Sequence, residues 1–149
     1  MTRFIGIDVR RQQVVEINAA TLFSAQASVG LAKVDHGVLW REHDGSGLGY
    51  VVDEFGWYKP ADDQFYAMAF CRAIAGNAVA YAFDPIGNTI DAEPNLLGLV
   101  REHIAWLPTR GDLERAITLG AVARPRISVN GDVLWAWPNP APAGMGPAR

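Results

Sequence analysis

The stretches VVDEFGWY (residues 51–58) and AFDPIGNT (residues 82–89) decide which fold this sequence predicts. Each is an apolar run that breaks at Asp-x-x-Gly and then resumes. An aspartate at a turn accepts hydrogen bonds from the backbone that follows it, and glycine supplies the positive φ needed to leave the turn. Both stretches are therefore predicted to be β-hairpins, with turns at Asp53–Gly56 and Asp84–Gly87.

The residues before the first stretch predict a strand pair, a short helix and a further strand. Phe4–Val9 and Val14–Ile17 are rich in β-branched residues. Thr21 is placed to cap a short helix, and Gly30 is placed to follow its end. Residues 31–42 alternate apolar and polar side chains over part of their length, which predicts a strand or a bent pair of strands.

The segment between the two hairpins predicts a buried helix over residues 61–75. Asp62 and Asp63 stand in its first turn, where the helix dipole favours negative charge, and Gly76 supplies the C-terminal stop. Two adjoining stripes at helical spacing cover most of its circumference: Phe65, Met68, Ala69 and Arg72, and Tyr66, Phe70 and Ala73. We expect such a helix to pack across the sheet formed by the hairpins.

The C-terminal third predicts two shorter helices, residues 95–106 and 112–119, followed by a hairpin at Asn130-Gly131. Asn-Gly between alternating runs is the strongest short-range hairpin signal. The predicted fold class is therefore α+β, with a mainly antiparallel sheet. We expect a single domain over residues 1–137, built from an α+β core (1–94) and a helix–helix–hairpin layer or small subdomain (95–137). A flexible tail, residues 138–149, is expected to follow.

Composition narrows the class of protein. The chain has 149 residues, of which 50% are apolar and 19% charged, as in a folded domain with a real core. No apolar run approaches the ~20 residues of a membrane span, so we expect no membrane contact. One cysteine excludes an internal disulfide, which favours a cytoplasmic location. Residues 1–95 hold 7 basic and 12 acidic side chains, so this larger part of the chain has a net negative charge.

Three motifs, taken in order, resemble a known family. They are Thr21-Leu22-x-x-x-Gln26-x-x-Val29-Gly30, Val51-Val52-Asp53-Glu54-x-Gly56 and Gly76-Asn77-Ala78-Val79. Their order is similar to that of a small domain family of unknown function found in phages, plasmids and integrated elements. The likeness covers residues 1 to about 92. It implies an accessory protein of a mobile element, with an anti-defence or host-modulating role as one form of that function, and it carries over no catalytic residue.

Enzyme signatures are missing from the sequence. There is no Gly-x-Ser-x-Gly elbow, phosphate loop or His-Glu-x-x-His, and Cys71 lies in an apolar run where a thiol is a core residue. We therefore expect no catalytic residues and no cofactor, and interpret the protein as more consistent with a binding function. A small metal-dependent hydrolase is an alternative if residues 38–42 bend back, because two imidazoles and two carboxylates would then suit a divalent ion: Asp35, His36, His43 and Asp44.

A second alternative is DNA binding by the C-terminal segment, residues 110–134. Two helices followed by a hairpin resemble a winged helix, in which the second helix enters the major groove and the hairpin forms a wing. Four arginines are the candidate phosphate contacts: Arg110, Arg115, Arg124 and Arg126. Acidic residues in the same segment, including Asp112 and Asp132, dilute this charge.

The favoured interpretation is contact with a protein partner. Aromatic rings at turns and edge strands are frequent interface anchors. The candidate partner-binding residues are Asp53, Glu54, Phe55, Trp57, Tyr58, Trp135 and Trp137. The acidic charge of residues 1–95 suits a basic host protein, and pairing of Trp135 and Trp137 between two copies would give a homodimer.

Overall fold

A computed structural model describes residues 1–59, 66–69, 72–102, 104–107, 109, 111–112, 114–115, 124–127 and 133–136. Along this part of the chain the elements are, in order, β1 (Thr2–Asp8), β2 (Gln13–Ala19), α1 (Leu22–Ser28), β3 (Val34–Arg41), β4 (Gly47–Asp53), a 3-10 turn (Gly56–Tyr58), β5 (Tyr66–Ala69), β6 (Arg72–Ala75), β7 (Ala78–Phe83), β8 (Thr89–Ile90), α2 (Pro94–Glu102), β9 (Ile104–Leu107), β10 (Arg124–Ile127) and β11 (Val133–Ala136).

The main sheet is antiparallel throughout. Its strand order is β2-β1-β7-β4-β3, and β8 adds a short pairing to β7. A second sheet has the order β6-β5-β9, and β10 pairs with β11. The α+β fold class with a mainly antiparallel sheet, predicted from the hairpin patterns, is confirmed.

Both faces of the main sheet are packed, because successive residues of the central strand β7 are apolar and point to opposite faces. On one face Val79 of β7 lies in a cluster with Phe4 and with Ala25 of α1. On the other face Ala80 of β7 lies in a cluster that includes residues of β6, α2 and β9: Ile74, Val100 and Ile104. A cleft at one end of this sheet, described below, lies where β1 and β4 finish and β7 begins.

The N-terminal predictions are confirmed in detail. The strand pair is β1 and β2, and the short helix is α1, whose cap Thr21 accepts a hydrogen bond from the backbone N–H of Ser24 at 3.1 Å. Gly30 follows the helix with a φ of 78°. Residues 34–41 form one strand, β3, with a bulge between Val38 and Trp40.

The predicted buried helix over residues 61–75 is wrong. Its described residues form β5 and β6, and β5 pairs with β6 on one side and β9 on the other. A short apolar run fits a strand in a packed sheet as well as a helix, and periodicity does not separate the two. The remaining predicted positions, 61–65, 70 and 71, lie outside the described residues.

The two Asp-x-x-Gly predictions have different outcomes. The hairpin at Asp84–Gly87 is confirmed, since β7 and β8 pair antiparallel on either side of it. The hairpin at Asp53–Gly56 is wrong, because the chain after β4 enters the 3-10 turn, and β4 pairs instead with β3 and β7. Here the side chain of Asp53 starts a turn, but the chain that follows does not pair with β4.

The C-terminal predictions fall partly within the described residues. The helix predicted over residues 95–106 is α2, but it ends at Glu102, and Ile104 begins β9. Residues 111, 112, 114 and 115 are helical, while the rest of the predicted helix 112–119 lies outside the described part. β10 and β11 pair as the predicted third hairpin requires, with Asn130-Gly131 and the tail 138–149 outside that part. Among the helices described, none combines the length and apolar character needed to cross a membrane.

Candidate functional site

A cleft of about 430 Å³ opens at the end of the main sheet where β1 and β4 finish. Four pieces of chain enclose it: the turn after β1, the end of α1, the segment after β4, and the residues that lead into β7. Its polar and charged lining residues are Asp8, Arg10, Arg11, Ser28, Asp53, Lys59 and Asn77. The cleft is within the size range of ligand sites in proteins.

Asn77 joins three of these pieces. Its Oδ1 accepts a hydrogen bond from the backbone N–H of Val9 at 2.9 Å, and its Nδ2 donates to the backbone carbonyl of Val29 at 3.0 Å. One side chain therefore connects the end of β1, the end of α1 and the start of β7. Because both ends of the amide are engaged, the relative positions of these walls are set before any ligand arrives.

The turn after β1 presents two arginines at the cleft. Asp8 starts this turn, since its Oδ1 accepts a hydrogen bond from the backbone N–H of Arg11 at 3.0 Å. The guanidinium of Arg11 is 3.9 Å from the other carboxylate oxygen, and its side chain is 77% exposed. Such a long, exposed contact holds the guanidinium weakly. Gln12 follows with a φ of 53°, which turns the chain into β2.

The fourth wall is the segment Asp53–Lys59, which we call the aromatic loop. Asp53 Oδ1 accepts a hydrogen bond from the backbone N–H of Phe55 at 2.9 Å, and the other carboxylate oxygen pairs with the ammonium of Lys59. The backbone N–H of Glu54 also donates to the carbonyl of Lys33 at 3.1 Å. Asp53 thus holds both ends of the aromatic loop, and Lys33 ties the loop to the chain that enters β3.

Two rings of the aromatic loop face outward. The exposed fraction is 45% for Phe55 and 84% for Tyr58, large values for aromatic residues. The Lys33 ammonium lies 5.7 Å from the centre of the Phe55 ring, within the range of a cation–π contact. Glu54 is exposed beside them. The side chain of Trp57 lies outside the described part of the structure.

Arg11 and Lys59 carry more hydrogen-bond donors than their ion pairs use. Its carboxylates, Asp8 and Asp53, already accept backbone hydrogen bonds and pair with Arg11 and Lys59. The hydroxyl of Ser28 donates to the carbonyl of Ala25 at 2.6 Å. Arginine carries five N–H donors and lysine three, so most of the donors on Arg11 and Lys59 are unused by these contacts. The cleft therefore offers hydrogen-bond donors on positively charged groups.

The residues of the metal alternative do not come together. Asp35 and His36 lie near the start of β3, whereas His43 and Asp44 lie in the turn beyond its end. The chain does not bend back as this alternative required, because β3 runs as one strand from Val34 to Arg41. A strand advances about 3.3 Å per residue, so the backbones of His36 and His43 lie near opposite ends of it. The hydroxyl and backbone N–H of Ser46 donate to Asp44 and hold the pKa of that carboxyl below its ordinary value. No set of three or more His, Cys, Asp or Glu residues is placed to bind a metal within the described ranges.

The candidate DNA contacts are only partly described. Arg115 is exposed and its guanidinium lies 3.4 Å from the carboxylate of Asp112, as an (i,i+3) pair. Arg124 and Arg126 belong to β10, and Trp135 belongs to β11. The side chains of these three residues, together with Arg110 and Trp137, lie outside the described part. DNA binding and dimerisation through these residues therefore stay predictions.

Sequence reasoning identified the aromatic loop but missed the cleft beside it. Arg10 and Arg11 appear in the sequence only as a polar link between two strands, and Asn77 only as part of a strand-opening motif. The two adjacent arginines were the one indication of this cleft that we find in the sequence. Nothing local to them shows that Lys59 would face the same space.

No protein-family model, curated protein or solved structure matches the chain.

Proposed function

We propose that this protein acts by binding a protein partner through the aromatic loop, Asp53–Lys59. The observation that carries the proposal is the exposure of Phe55 and Tyr58 on a loop whose backbone is held in place. Large exposed rings are frequent anchors of protein interfaces. A ring on a fixed loop also loses little conformational freedom on binding, which favours affinity.

The fixed geometry of the aromatic loop comes from both of its sides. Asp53 holds Phe55 and Lys59, as described above, and the backbone N–H of Tyr58 donates to the carbonyl of Phe55 at 3.0 Å. Gly56 is buried against Ala75 of β6. The two rings therefore project from a segment that is anchored to the second sheet.

The biological context of this function, a phage or other mobile element, is proposed from the order of the sequence motifs. Their likeness to an accessory family of phages and plasmids supports a role in modulating a host protein, with anti-defence activity as one form of it. The exposed Glu54 and the acidic excess of residues 1–95 support a partner with a basic surface. Binding alone would be enough for such a role, without a catalytic group.

The test is partner capture from a lysate of the cell in which the protein acts. Wild-type protein is compared with the double variant Phe55→Ala/Tyr58→Ala, with mass spectrometry identifying what each retains. We expect the double variant to lose one specific protein at unchanged fold, because truncating an anchor ring costs about 1–4 kcal/mol of binding, or roughly fivefold or more in affinity.

The matched control is Ile86→Ala. Ile86 is 83% exposed but lies in the β7–β8 turn, at the opposite end of the main sheet. We expect it to retain the same partner as the wild type. If the double variant retains every protein that the wild type retains, the aromatic loop is not the binding surface and the proposal fails.

A further inference from the structure

We infer that the cleft beside the aromatic loop binds an oxyanion, a carboxylate or phosphate group carried by the protein partner. The inference rests on the proposed function in its choice of source, since the anion is taken to belong to the partner. It arises from a different set of residues, however: Arg10, Arg11 and Lys59 rather than the exposed rings. It adds a second and chemically specific contact to the interface.

The distribution of charged side chains favours an anion rather than a cation as the ligand of the cleft. Three of the 7 basic side chains in residues 1–95 line this one cleft, against two of the 12 acidic ones. By side-chain count the cleft therefore has one more basic than acidic group, within an acidic part of the chain. A cation would meet Asp53, whose two oxygens are engaged by the backbone N–H of Phe55 and the ammonium of Lys59. It would also meet Asp8, whose Oδ1 accepts from the backbone N–H of Arg11.

Three backbone carbonyls at or next to the end of α1 are engaged as well. At the end of α1 the carbonyl of Gln26 accepts hydrogen bonds from the N–H groups of Val29 and Leu31, and the carbonyl of Ala27 accepts from Gly30. The carbonyl of Val29 accepts from the side chain of Asn77. Among the charged groups of the cleft, Arg11 and Lys59 carry N–H donors beyond those used in their ion pairs.

The geometry of Arg11 suits an oxyanion in particular. A guanidinium presents parallel N–H groups that match two oxygens of one carboxylate or phosphate, and charge-assisted hydrogen bonds of this kind are about twice as strong as neutral ones. The 3.9 Å contact with Asp8 is long enough for an incoming anion to compete for Arg11. Lys59 supplies a second charge from another wall of the cleft, where Asp53 positions it.

The direct test uses inorganic phosphate and acetate as probes of full-length protein at low ionic strength. Backbone and side-chain amide resonances are followed by NMR, and we expect saturable shifts confined to the cleft, including those of Arg11, Asn77 and Gly76. Added salt should weaken binding, because screening acts on exposed charges. Arg11→Ala should weaken phosphate binding about fivefold or more, and Arg11→Lys should weaken it less, since the charge remains while the paired donors are lost.

The matched control is Arg115→Ala. Arg115 forms the same kind of exposed (i,i+3) pair with Asp112 that Arg11 forms with Asp8, but it does not line the cleft. The control removes the same charge and should leave anion binding unchanged. Equal loss in both variants, or no saturable shift with either probe, would overturn the inference.

Capture of the partner separates this inference from the proposed function. If Phe55→Ala/Tyr58→Ala loses the partner while Arg11→Ala keeps it fully, the aromatic loop binds a protein without an anion, and the inference fails alone. If phosphate binds but neither variant alters capture, the cleft is an anion site unrelated to a partner, and its assigned source is wrong. Phosphatase treatment of the partner distinguishes the two sources, because only a phosphate contact would be lost.

Discussion

A Cβ added to Gly56 would overlap the backbone carbonyl oxygen of Ala75, so this glycine is required by the close approach of β6. Gly87 has the equivalent place in the second Asp-x-x-Gly stretch, but a Cβ there would meet nothing within 4 Å. Its φ of 91° is what requires a glycine. The two stretches look the same in sequence because glycine satisfies both requirements.

We expect Gly56→Ala to lower the free energy of unfolding by about 1–3 kcal/mol, because the added methyl forces the backbone of the aromatic loop away from Ala75. The control is Gly98→Ala in α2, where the residue is exposed and a Cβ meets nothing within 4 Å. Alanine at that site should raise stability by about 0.5–1 kcal/mol through helix propensity. Urea unfolding measures both, and equal effects would contradict the packing argument.

At the scale of elements, β7 joins the layers of the molecule. Ala78, Ala80 and Ala82 contribute to the cluster shared with β6, α2 and β9, whereas Val79 and Tyr81 contribute to the face covered by α1. Small side chains on one face of a central strand allow the opposing layer to approach closely. The sequence of β7 therefore places small side chains on one face of the sheet and larger ones on the other.

We expect Ala80→Leu to destabilise the protein by about 1–3 kcal/mol, because Ala80 is 1% exposed and the added carbons have no space between the layers. Ala27→Leu is the matched control, since Ala27 lies on the exposed side of α1. Its effect should stay within about 0.5 kcal/mol. Thermal and urea unfolding decide the matter, and a neutral Ala80→Leu would show that the layers are not in close contact there.

Residues 66–75 show why an element can escape sequence analysis. The end signals for a helix, acidic residues before the apolar run and Gly76 after it, are present in the sequence. The structure instead pairs β5 with both β6 and β9, and β9 follows about 35 residues later in the chain. Non-local pairing of this kind overrides local propensity, because each ladder hydrogen bond and each buried side chain depends on a partner that the local pattern does not contain.

At the scale of the whole molecule, stability should depend on pH through Tyr81. The Tyr81 ring lies over Gly49 of the neighbouring strand, and burial raises the pKa of its phenol. The unfolded chain therefore releases this proton at a lower pH than the folded one. The stabilisation is complete below the ordinary tyrosine pKa of about 10 and is lost as the pH rises through the folded pKa.

We expect the free energy of unfolding to fall between about pH 9 and 11 more steeply in the wild type than in Tyr81→Phe. Tyr58→Phe is the matched control at an exposed ring. Urea unfolding at several pH values gives the three curves. Parallel curves for wild type and Tyr81→Phe would show that burial of this phenol does not contribute to the alkaline loss of stability.

Local sequence patterns were sufficient for several features whose hydrogen bonds close within a few residues. Thr21 caps α1 through Ser24, and Asp84 accepts from the N–H groups of Ile86 and Asn88, so the helix start and the β7–β8 turn follow from local chemistry. The α+β class follows from the same signals, because hairpins specify antiparallel pairing between neighbours in the chain.

The cleft, in contrast, depends on contacts between residues that are far apart along the chain. Asn77 bonds to Val9 and Val29, which are 68 and 48 residues away along the chain. The order β1-β7-β4 in the sheet places the turn after β1 and the segment after β4 at the same cleft, so Arg10, Arg11 and Lys59 all line it. No local pattern encodes such a meeting, because it depends on how strands distant in sequence are ordered in the sheet. The residues of the aromatic loop could be identified from the sequence. The cleft with charged side chains beside the loop forms only when the strands assemble.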